Sequence, residues 1–515
     1  MQTVFTARQM RKADSKTIER LNGNGLLLME HASAACVREL FRRFGTGLQG
    51  MRVVVLAGRG NNGGDGMAIA RQLISRGVDT SVVVLGDMAK MSEDAVVQLN
   101  ILRNYGISIE NATGEISPSV EAEMNHAGLI VDAMLGTGLT SEPRGIIADA
   151  IEVLKKYEGF VFSVDLPSGL NSDSGGLLWD AVHADATVTF GKMKRCHVLS
   201  PACLNCGEII VDDISIPEDI FDTVNADCFL VEEQDIVSRL PELVPDGHKG
   251  TFGHVFVAGS APGRLGACVM AGRAALRSGS GLATIHLHRD SYPIVGPMAP
   301  ELMVSLSDNP YSPVSLSPAL ERKDVILAGP GFGTSESARE SMKELISISG
   351  LPAVLDADVF RIFRVDELAS VLNGRPAILT PHPGEMAAFH GTGIEEVQQD
   401  KAGFAVRTAE LTGAVTVLKG HRTVIGTPEG IAFVNPTGNA GLATAGSGDV
   451  LSGIAASFLG QEMTPEDAAI CAVYIHGLSG EIAGETRSMR GVTASAILDS
   501  IPAALSKIVR KTDDR

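Results

Sequence analysis

A chain of 515 residues exceeds the size at which one hydrophobic core keeps growing, so at least two domains are expected. With 44% hydrophobic and 20% charged residues, 57 glycines and a single tryptophan, the composition is that of a globular α/β protein and argues against disorder. A formal net charge of −18 argues against a nucleic-acid partner, which is bound through clustered Lys and Arg, and leaves backbone amides to meet any anionic ligand.

The N-terminus mixes charges from Arg8 onward and lacks the apolar core of a secretory signal, and no run of about 18 apolar residues offers a membrane span. A cytoplasmic protein without a membrane partner is expected. Seven cysteines, an odd number on a long chain, do not form a disulfide framework. Cys203 and Cys206 make a lone CxxC close to Cys196 and His197. Reduced structural thiols account for it better than zinc does.

Thr6 and Gln9 have the spacing of a capping box and open a first helix. Leu26 to Phe44 repeats apolar residues at helical spacing and predicts a second. Short apolar strands then alternate with helical segments: Arg52 to Gly58, Thr80 to Gly86, Gly128 to Met134, Phe160 to Leu166 and Ala186 to Gly191. That alternation is the signature of a parallel, doubly wound sheet. The pattern fades after Pro217, and the acidic, proline-punctuated stretch Glu218 to Asp246 is the expected domain junction. A second α/β pattern starts at His248 and continues through strands ending near Ala328, Leu355, Leu379 and Leu418, with a helical final third.

Gly58, Gly60 and Gly63 match GxGxxG between a strand and a helix, the pattern of a phosphate-cradling turn. The same turn holds Asn61, Asn62, Gly64 and Asp65, and a phosphate loop has no need of that carboxylate. A tight βα turn, with Asn or Asp as helix cap, is the plainer alternative. Asp132 and Asp165 close two further strands, with Ser168 just after the second. In a parallel sheet such turns converge outside the carboxyl ends of the strands. Their carboxylate, amide and hydroxyl groups are hard oxygen ligands suited to a group I or II cation.

The motifs NNGGDG, VDAMLGTGL, VDLPSG and TFGKMK, in this order, resemble the NAD(P)H-hydrate epimerase domain over residues 1–222. The resemblance implies a Rossmann-like fold. It implies substrate contacts from Asn61, Asn62, Gly63, Gly64 and Asp65, from Gly136, Thr137, Gly138, Leu139, Thr140, Ser141 and Glu142, and from Asp165. It also implies potassium on Asn62, Asp132 and Ser168. Asp165 is the candidate acid or base, with Lys194 assisting. His31 and Ser33 stand where the family has Asn and Gly.

In Asn435 to Gly453 a glycine-rich loop runs into an apolar helix, so that Gly446, Ser447 and Gly448 can offer amides to an anion at the positive end of the helix dipole. Asp449 follows at once, and a carboxylate beside an anion site makes sense as a proton acceptor during phosphoryl transfer. Capping the helix is its plainer alternative. No Walker A sequence exists: Gly191 and Lys192 are followed by Met193, and the upstream position holds Ala186.

The GSGD loop, preceded by VLKGHRT, resembles the ribokinase-like superfamily. HKGTFGHV, GSAPGRLGA, GPGFG, LDADVF and TPHPGE narrow the resemblance to the ADP- or ATP-dependent NAD(P)H-hydrate dehydratase over residues 226–510. It implies that Ala267, Gly331 and the run Thr380, Pro381, His382, Pro383, Gly384, Glu385 and Met386 contact the hydrated nicotinamide. Lys419, Gly420, His421, Arg422 and Thr423 would line the nucleotide. Asn439, Ala440, Gly441, Leu442, Ala443, Thr444, Ala445, Gly446, Ser447 and Gly448 would wrap its phosphates, leaving Asp449 as the catalytic group at the hydrate hydroxyl. Magnesium is expected with the ADP or ATP. His254 stands where the family has Arg.

The expectation is thus an isomerase fused to a lyase. The first domain would interconvert the R and S epimers of hydrated NADH and NADPH (NADHX and NADPHX). The second would dehydrate the S epimer, forming AMP and phosphate from ADP. Homo-oligomerisation is expected. The rival reading is a small-molecule kinase of the ribokinase superfamily fused to a nucleotide-sensing module. The three strand-end carboxylates argue against it, because a scaffold has no use for them.

Overall fold

Val53, Val54, Val55, Leu56 and Ala57 are all buried, which a strand achieves only in the interior of a sheet covered on both faces. In the computed structural model, which describes residues 1–513 apart from 243, 260, 262 and 311, this strand lies near the centre of a seven-stranded sheet. The chain forms two α/β units. Thr3–Asp227 makes one, and the residues from Cys228 onward, with Met1 and Gln2, make the other.

In the first unit the strands run in the order Ile109–Ala112, Asp79–Leu85, Arg52–Ala57, Leu129–Ala133, Phe160–Val164, Ala186–Phe190 and Glu208–Asp212, all parallel. The winding starts at Arg52–Ala57, proceeds outward through two strands, then returns to place Leu129–Ala133 on its other side. The turns after these two strands therefore flank a topological switch point, where α/β sheets bind ligands. They are held in close approach, for a Cβ on Gly58 would lie 1.8 Å from the Met134 carbonyl oxygen.

Thr6 and Gln9 form the expected capping box, and helix Ala7–Arg20 follows it. The second expected helix spans Gly25–Phe44. Ser33 fits into it by donating to Met29 O at 2.7 Å and to Asp65 O at 3.2 Å, while His31 Nδ1 meets Ile214 O at 3.2 Å. The two departures from the family pattern thus make contacts with neighbouring backbone.

The second unit carries strands in the order Met303–Ser307, Leu282–His288, His254–Ala258, Val325–Ala328, Ala353–Leu355, Ala377–Leu379 and Val415–Leu418, all parallel. Val424–Gly426 then pairs antiparallel on both sides, with Val415–Leu418 and Ala432–Val434, and Cys228–Leu230 adds in parallel to the latter. Here the switch point falls between His254–Ala258 and Val325–Ala328. His254 is buried, with Nε2 at 2.7 Å from Thr284 Oγ1; burial first, then Lys323, lowers its pKa to about 4.

Several strands escape the sequence pattern for physical reasons. Leu282–His288 holds His286, whose Nε2 reaches Pro310 O at 2.7 Å, so a polar residue sits in a buried position. Val424–Gly426 and Ala432–Val434 are three residues each, too short for periodicity to register. Cys228–Leu230 and the helix Glu233–Arg239 lie within the stretch expected to be the domain junction, where no strong periodicity marks them.

Among the described residues no helix is long and apolar enough to cross a membrane. None of the seven cysteines is in a disulfide; Cys196 and Cys206 pack with Leu166, Leu170, Ala181 and Ala202.

Phe162 is fully buried in the strand that delivers Asp165, and Trp179, the sole tryptophan, lies in the same unit with its indole donating to Gly169 O. Phe162→Ala should cost about 3–5 kcal/mol. Urea unfolding followed by Trp179 fluorescence should show the lower midpoint.

Candidate active sites

In the first unit the switch-point crevice opens into a cavity of about 520 Å³. Asn61 and Asn62 open helix Asn61–Ile74, whose cap is Gly60, so backbone amides and two side-chain amides face the same space. Gly136, Thr137, Gly138 and Leu139 form the facing wall, and Asp65, Asp165 and Lys194 belong to the polar lining. Gly63 and Gly64 are buried in the first helical turn. Thr140, Ser141 and Glu142 are exposed and stand outside the wall.

Asp132 is fully buried and saturated with donors: Ser168 N at 2.8 Å, Ser168 Oγ at 2.5 Å, Ser163 Oγ at 2.9 Å and Met134 N at 3.3 Å. Burial raises its pKa more than these bonds lower it. Ser168 Oγ accepts from Leu135 N at 2.8 Å, and Asn62 Nδ2 donates to Leu135 O at 2.9 Å, leaving Asn62 Oδ1 without a partner among the described residues. The three residues named for potassium therefore meet around one peptide. A buried carboxylate, a hydroxyl and a free amide oxygen form an all-oxygen set that fits a group I cation.

Asp165 adopts φ +67°, in the left-handed region, at the end of its strand. Its Oδ1 lies 2.5 Å from Lys194 Nζ and 3.0 Å from Thr189 Oγ1. Lys194 is buried and donates also to Thr189 Oγ1 at 2.8 Å and Phe190 O at 2.9 Å. Burial alone would raise the Asp165 pKa. The ammonium overrides burial and holds it below the usual range. Lys194 reaches this position because Met193–Lys194 pairs in register with Val4 and Phe5.

In the second unit helix Ser447–Gly460 is capped by Gly446 at φ +87°, a conformation that exposes the following amides. A cavity of about 550 Å³ lies beside it, lined by Ala267, Gly331, Glu385, Ala445, Gly446 and Asp449 among others. Asp449 sits in the first turn, yet its carboxylate makes no hydrogen bond among the described residues, so it does not cap the helix. Burial, then Asp356, raises its pKa to about 7; Glu385 adds to this and Lys419 opposes it.

Lys419 is followed by a turn in which Gly420 and His421 are exposed and Arg422 and Thr423 half-buried. Its Nζ pairs with Asp356 Oδ1 at 2.8 Å and approaches Glu385 Oε2 at 3.7 Å. Asn439 caps the turn Ala440–Leu442 through Gly441 N at 3.0 Å and binds Gly480 O at 3.0 Å, pinning the loop that continues through Ala443 and Thr444. Ser447 Oγ lies 3.1 Å from Nε2 of buried His476.

Of the run from Thr380 to Met386, only Glu385 lines the cavity. Thr380, Pro381 and Met386 are buried, and His382 is 49% exposed in its side chain and caps helix Pro383–His390, which Pro383 and Gly384 begin. Its Nδ1 accepts from Glu385 N at 3.1 Å, so the ring is held as a neutral acceptor. Of the motif from Gly259 to Ala267, Ser260 and Pro262 lie outside the described residues.

Sequence reasoning missed Asp14 and Arg59 in the first cavity, and Arg264, Asp358 and Arg361 in the second. Arg264 and Asp358 form an ion pair at 3.0 Å, and Asp358 also accepts from Gly333 N at 2.9 Å. The signal was present: Arg264 lies inside GSAPGRLGA, and Asp358 and Arg361 lie in or beside LDADVF. The negative net charge concealed these local cations.

A family model described as NAD(P)H-hydrate dehydratase matches residues 255–503, and one described as YjeF-related protein N-terminus matches residues 25–196. The chain is 36% identical to the bifunctional NAD(P)H-hydrate repair enzyme Nnr of Moorella thermoacetica, over 99% of this chain and 98% of that protein. The Escherichia coli K12 protein of the same name is 31% identical over 87% of this chain and 84% of its own length. The structure of the ADP/ATP-dependent NAD(P)H-hydrate dehydratase from Bacillus subtilis, co-crystallised with ATP and Mg2+, is 30% identical, covering 54% of this chain and 98% of that one with a TM-score of 0.47. With both family models in tandem and whole-length relatives at this identity, the chain belongs to the family of bifunctional NAD(P)H-hydrate repair enzymes.

Proposed function

We propose that the first unit interconverts the C6 epimers of hydrated NADH and NADPH and that the second removes water from the S epimer at the expense of a nucleotide, ADP giving AMP and phosphate. The observation that carries the second activity is the unbonded carboxylate of Asp449 in the first turn of a glycine-capped helix, beside the cavity that Ala267 and Gly331 line.

The C6 hydroxyl of the hydrate is a poor leaving group near neutral pH, and phosphorylation makes it a good one. Gly446, Ser447 and Gly448 present amides at the positive end of the helix, where charge develops on the transferring phosphoryl group. Asp449 takes the hydroxyl proton. A pKa of about 7 suits a base that must be ionised to accept it and neutral once the proton has moved. Lys419 neutralises Asp356 and Glu385, keeping the rest of the wall from repelling phosphate. Among the described residues no group of three His, Cys, Asp or Glu is placed to hold a metal, so magnesium would enter with the phosphates, whose charge it would offset.

In the first unit Asp165, kept ionised by Lys194, is the base at C6, and the amides of Asn61 and Asn62 orient the ligand. A potassium ion on Asn62, Asp132 and Ser168 would fix the Leu135 peptide and the glycine-rich turn after it. The protein is proposed to act in the cytoplasm and as a homo-oligomer.

Purified protein incubated with hydrated NADH should regenerate the dihydropyridine absorbance only when ADP or ATP is added, and the R epimer should be consumed as well as the S. Asp449→Asn should slow dehydration about 100-fold or more while nucleotide affinity, measured by calorimetry, holds or tightens. Normal turnover would remove Asp449 from the chemistry. The parent rate should rise with pH through about 7, as Asp449 loses its proton, and the variant should lack that limb.

The same substitution should be read in stability. A folded-state pKa raised above 3.8 makes ionisation of Asp449 a cost that appears as pH rises from about 4 to 7. The variant should therefore be more stable than the parent at pH 8, with the difference closing below pH 4, in denaturant titrations followed by circular dichroism.

Asp132→Ala removes the carboxylate beneath the oxygen set and should weaken epimerisation while dehydration of the S epimer stays near normal. Equal loss of both activities in a folded protein would contradict separate sites.

A further inference from the structure

Helix Ala7–Arg20 turns Met10, Ala13 and Thr17 into the core, the spacing of one apolar face, and Asp14 falls on that face. A carboxyl there is costly unless something meets it. Asp14 is partly buried and lines the same cavity as Asp65, Asp165 and Lys194. The carboxylates around this cavity differ in how they are held. Asp132 receives four hydrogen bonds, and Asp165 is fixed by Lys194 and Thr189. Asp14 has neither a hydrogen bond nor an ion pair among the described residues, so its only available contact is with what enters the cavity.

The charged groups facing it are Arg11 on its own helix and Lys194 and Asp165 across the cavity, with Arg59, Asp65 and Asp94 also in the lining. Burial raises its pKa to about 6; Lys194 and Arg11 oppose the rise and Asp165 adds to it. Near neutrality Asp14 exchanges its proton, whereas Asp165 beside the ammonium stays ionised. Asp14 and Asp165, two of the four carboxyls lining this cavity, thus have opposite protonation preferences, the arrangement by which sites divide acid from base.

We propose that Asp14 is a second catalytic residue of the first site, the proton donor to the departing C6 oxygen when Asp165 is the acceptor for the incoming one. This rests on the epimerase reading. Asp14 passes its proton to the C6 hydroxyl as the C6–O bond breaks, and that bond's electron pair leaves with the oxygen as water. The ring nitrogen lone pair forms a C6=N1 double bond. A water then adds to the other face, its electron pair making the new C6–O bond. Its proton goes to Asp165, and the C6=N1 pair returns to nitrogen. No oxidant or reductant is consumed, one water replaces another, and exchange with solvent moves a proton from Asp165 back to Asp14. The reverse reaction uses the two groups in exchanged roles.

The test uses the full chain with Asp14→Asn and Asp14→Glu, hydrated NADH as substrate, and epimerisation measured without nucleotide. Trp179 fluorescence, from the same unit as Asp14, reports that this unit is folded, and dehydration of the S epimer with ADP reports the same of the second unit. Asp14→Asn should lower the epimerisation kcat about 100-fold or more with KM little changed, and Asp14→Glu should recover part of the rate. Parent activity should decline as pH rises above about 6, and Asp14→Asn should lose that limb. Inversion by the parent in 18O-labelled water should label the C6 oxygen. A normal kcat in Asp14→Asn, a raised KM with kcat intact, or unlabelled product would each overturn the proposal. A parent that does not epimerise would instead overturn the epimerase reading on which it rests.

Discussion

Each unit holds one lysine ammonium against a carboxylate beyond the end of a parallel strand: Lys194 on Asp165 at 2.5 Å, and Lys419 on Asp356 at 2.8 Å. Burying such a pair costs desolvation of both ions, recovered only where geometry is close and further hydrogen bonds are made. Lys194 meets this condition with Thr189 Oγ1 and Phe190 O. Burial would push the Lys419 ammonium down in pKa, and Asp356 and Glu385 hold it up. Each pair sets a cation against one carboxylate, and Asp14 and Asp449 beside them are left without an ion pair among the described residues.

That division depends on the parallel sheet. Asp132 and Asp165 come from the ends of neighbouring strands that parallel pairing brings level in the first unit, and Asp356 closes a parallel strand of the second. The reversal of winding beside Arg52–Ala57 in one unit and beside His254–Ala258 in the other opens a crevice at those ends, and both cavities lie there. Asp132 shows the other use of such a position. With four donors on its carboxylate it ties the turn of Ser168 to that of Leu135, shaping the floor without being free to react.

Family membership along the whole chain also explains why the two activities belong together: an S-specific dehydratase leaves the R epimer stranded unless something inverts it. The kinase reading with a sensing module gives no reason for the unpaired carboxyls of Asp14 and Asp65 in the first cavity. His31 and Ser33 fall in helix packing and His254 on an inner strand of the sheet, and each side chain finds a local hydrogen bond.

By itself the sequence determined two α/β patterns, the glycine-rich turns NNGGDG and GSGD, and the strand-end aspartates. All of these are local: apolar runs dictate buried strands, and glycines mark backbone that must approach closely or expose its amides. What depends on distant partners was decided only by the tertiary structure. Lys194 could be named but not paired until Val4 and Phe5 set its strand beside Asp165. His382, flanked by prolines, became a helix cap that a linear reading could not distinguish from a ligand-facing ring. Asp14 was legible in principle as a carboxylate on an apolar helical face, but its meaning needed the cavity it looks into. Protonation was wholly tertiary, for Asp449 and Asp165 are the same residue type following a strand or loop, yet burial and the neighbouring Asp356 push one up to about 7 while the Lys194 ammonium overrides burial and holds the other below the usual range.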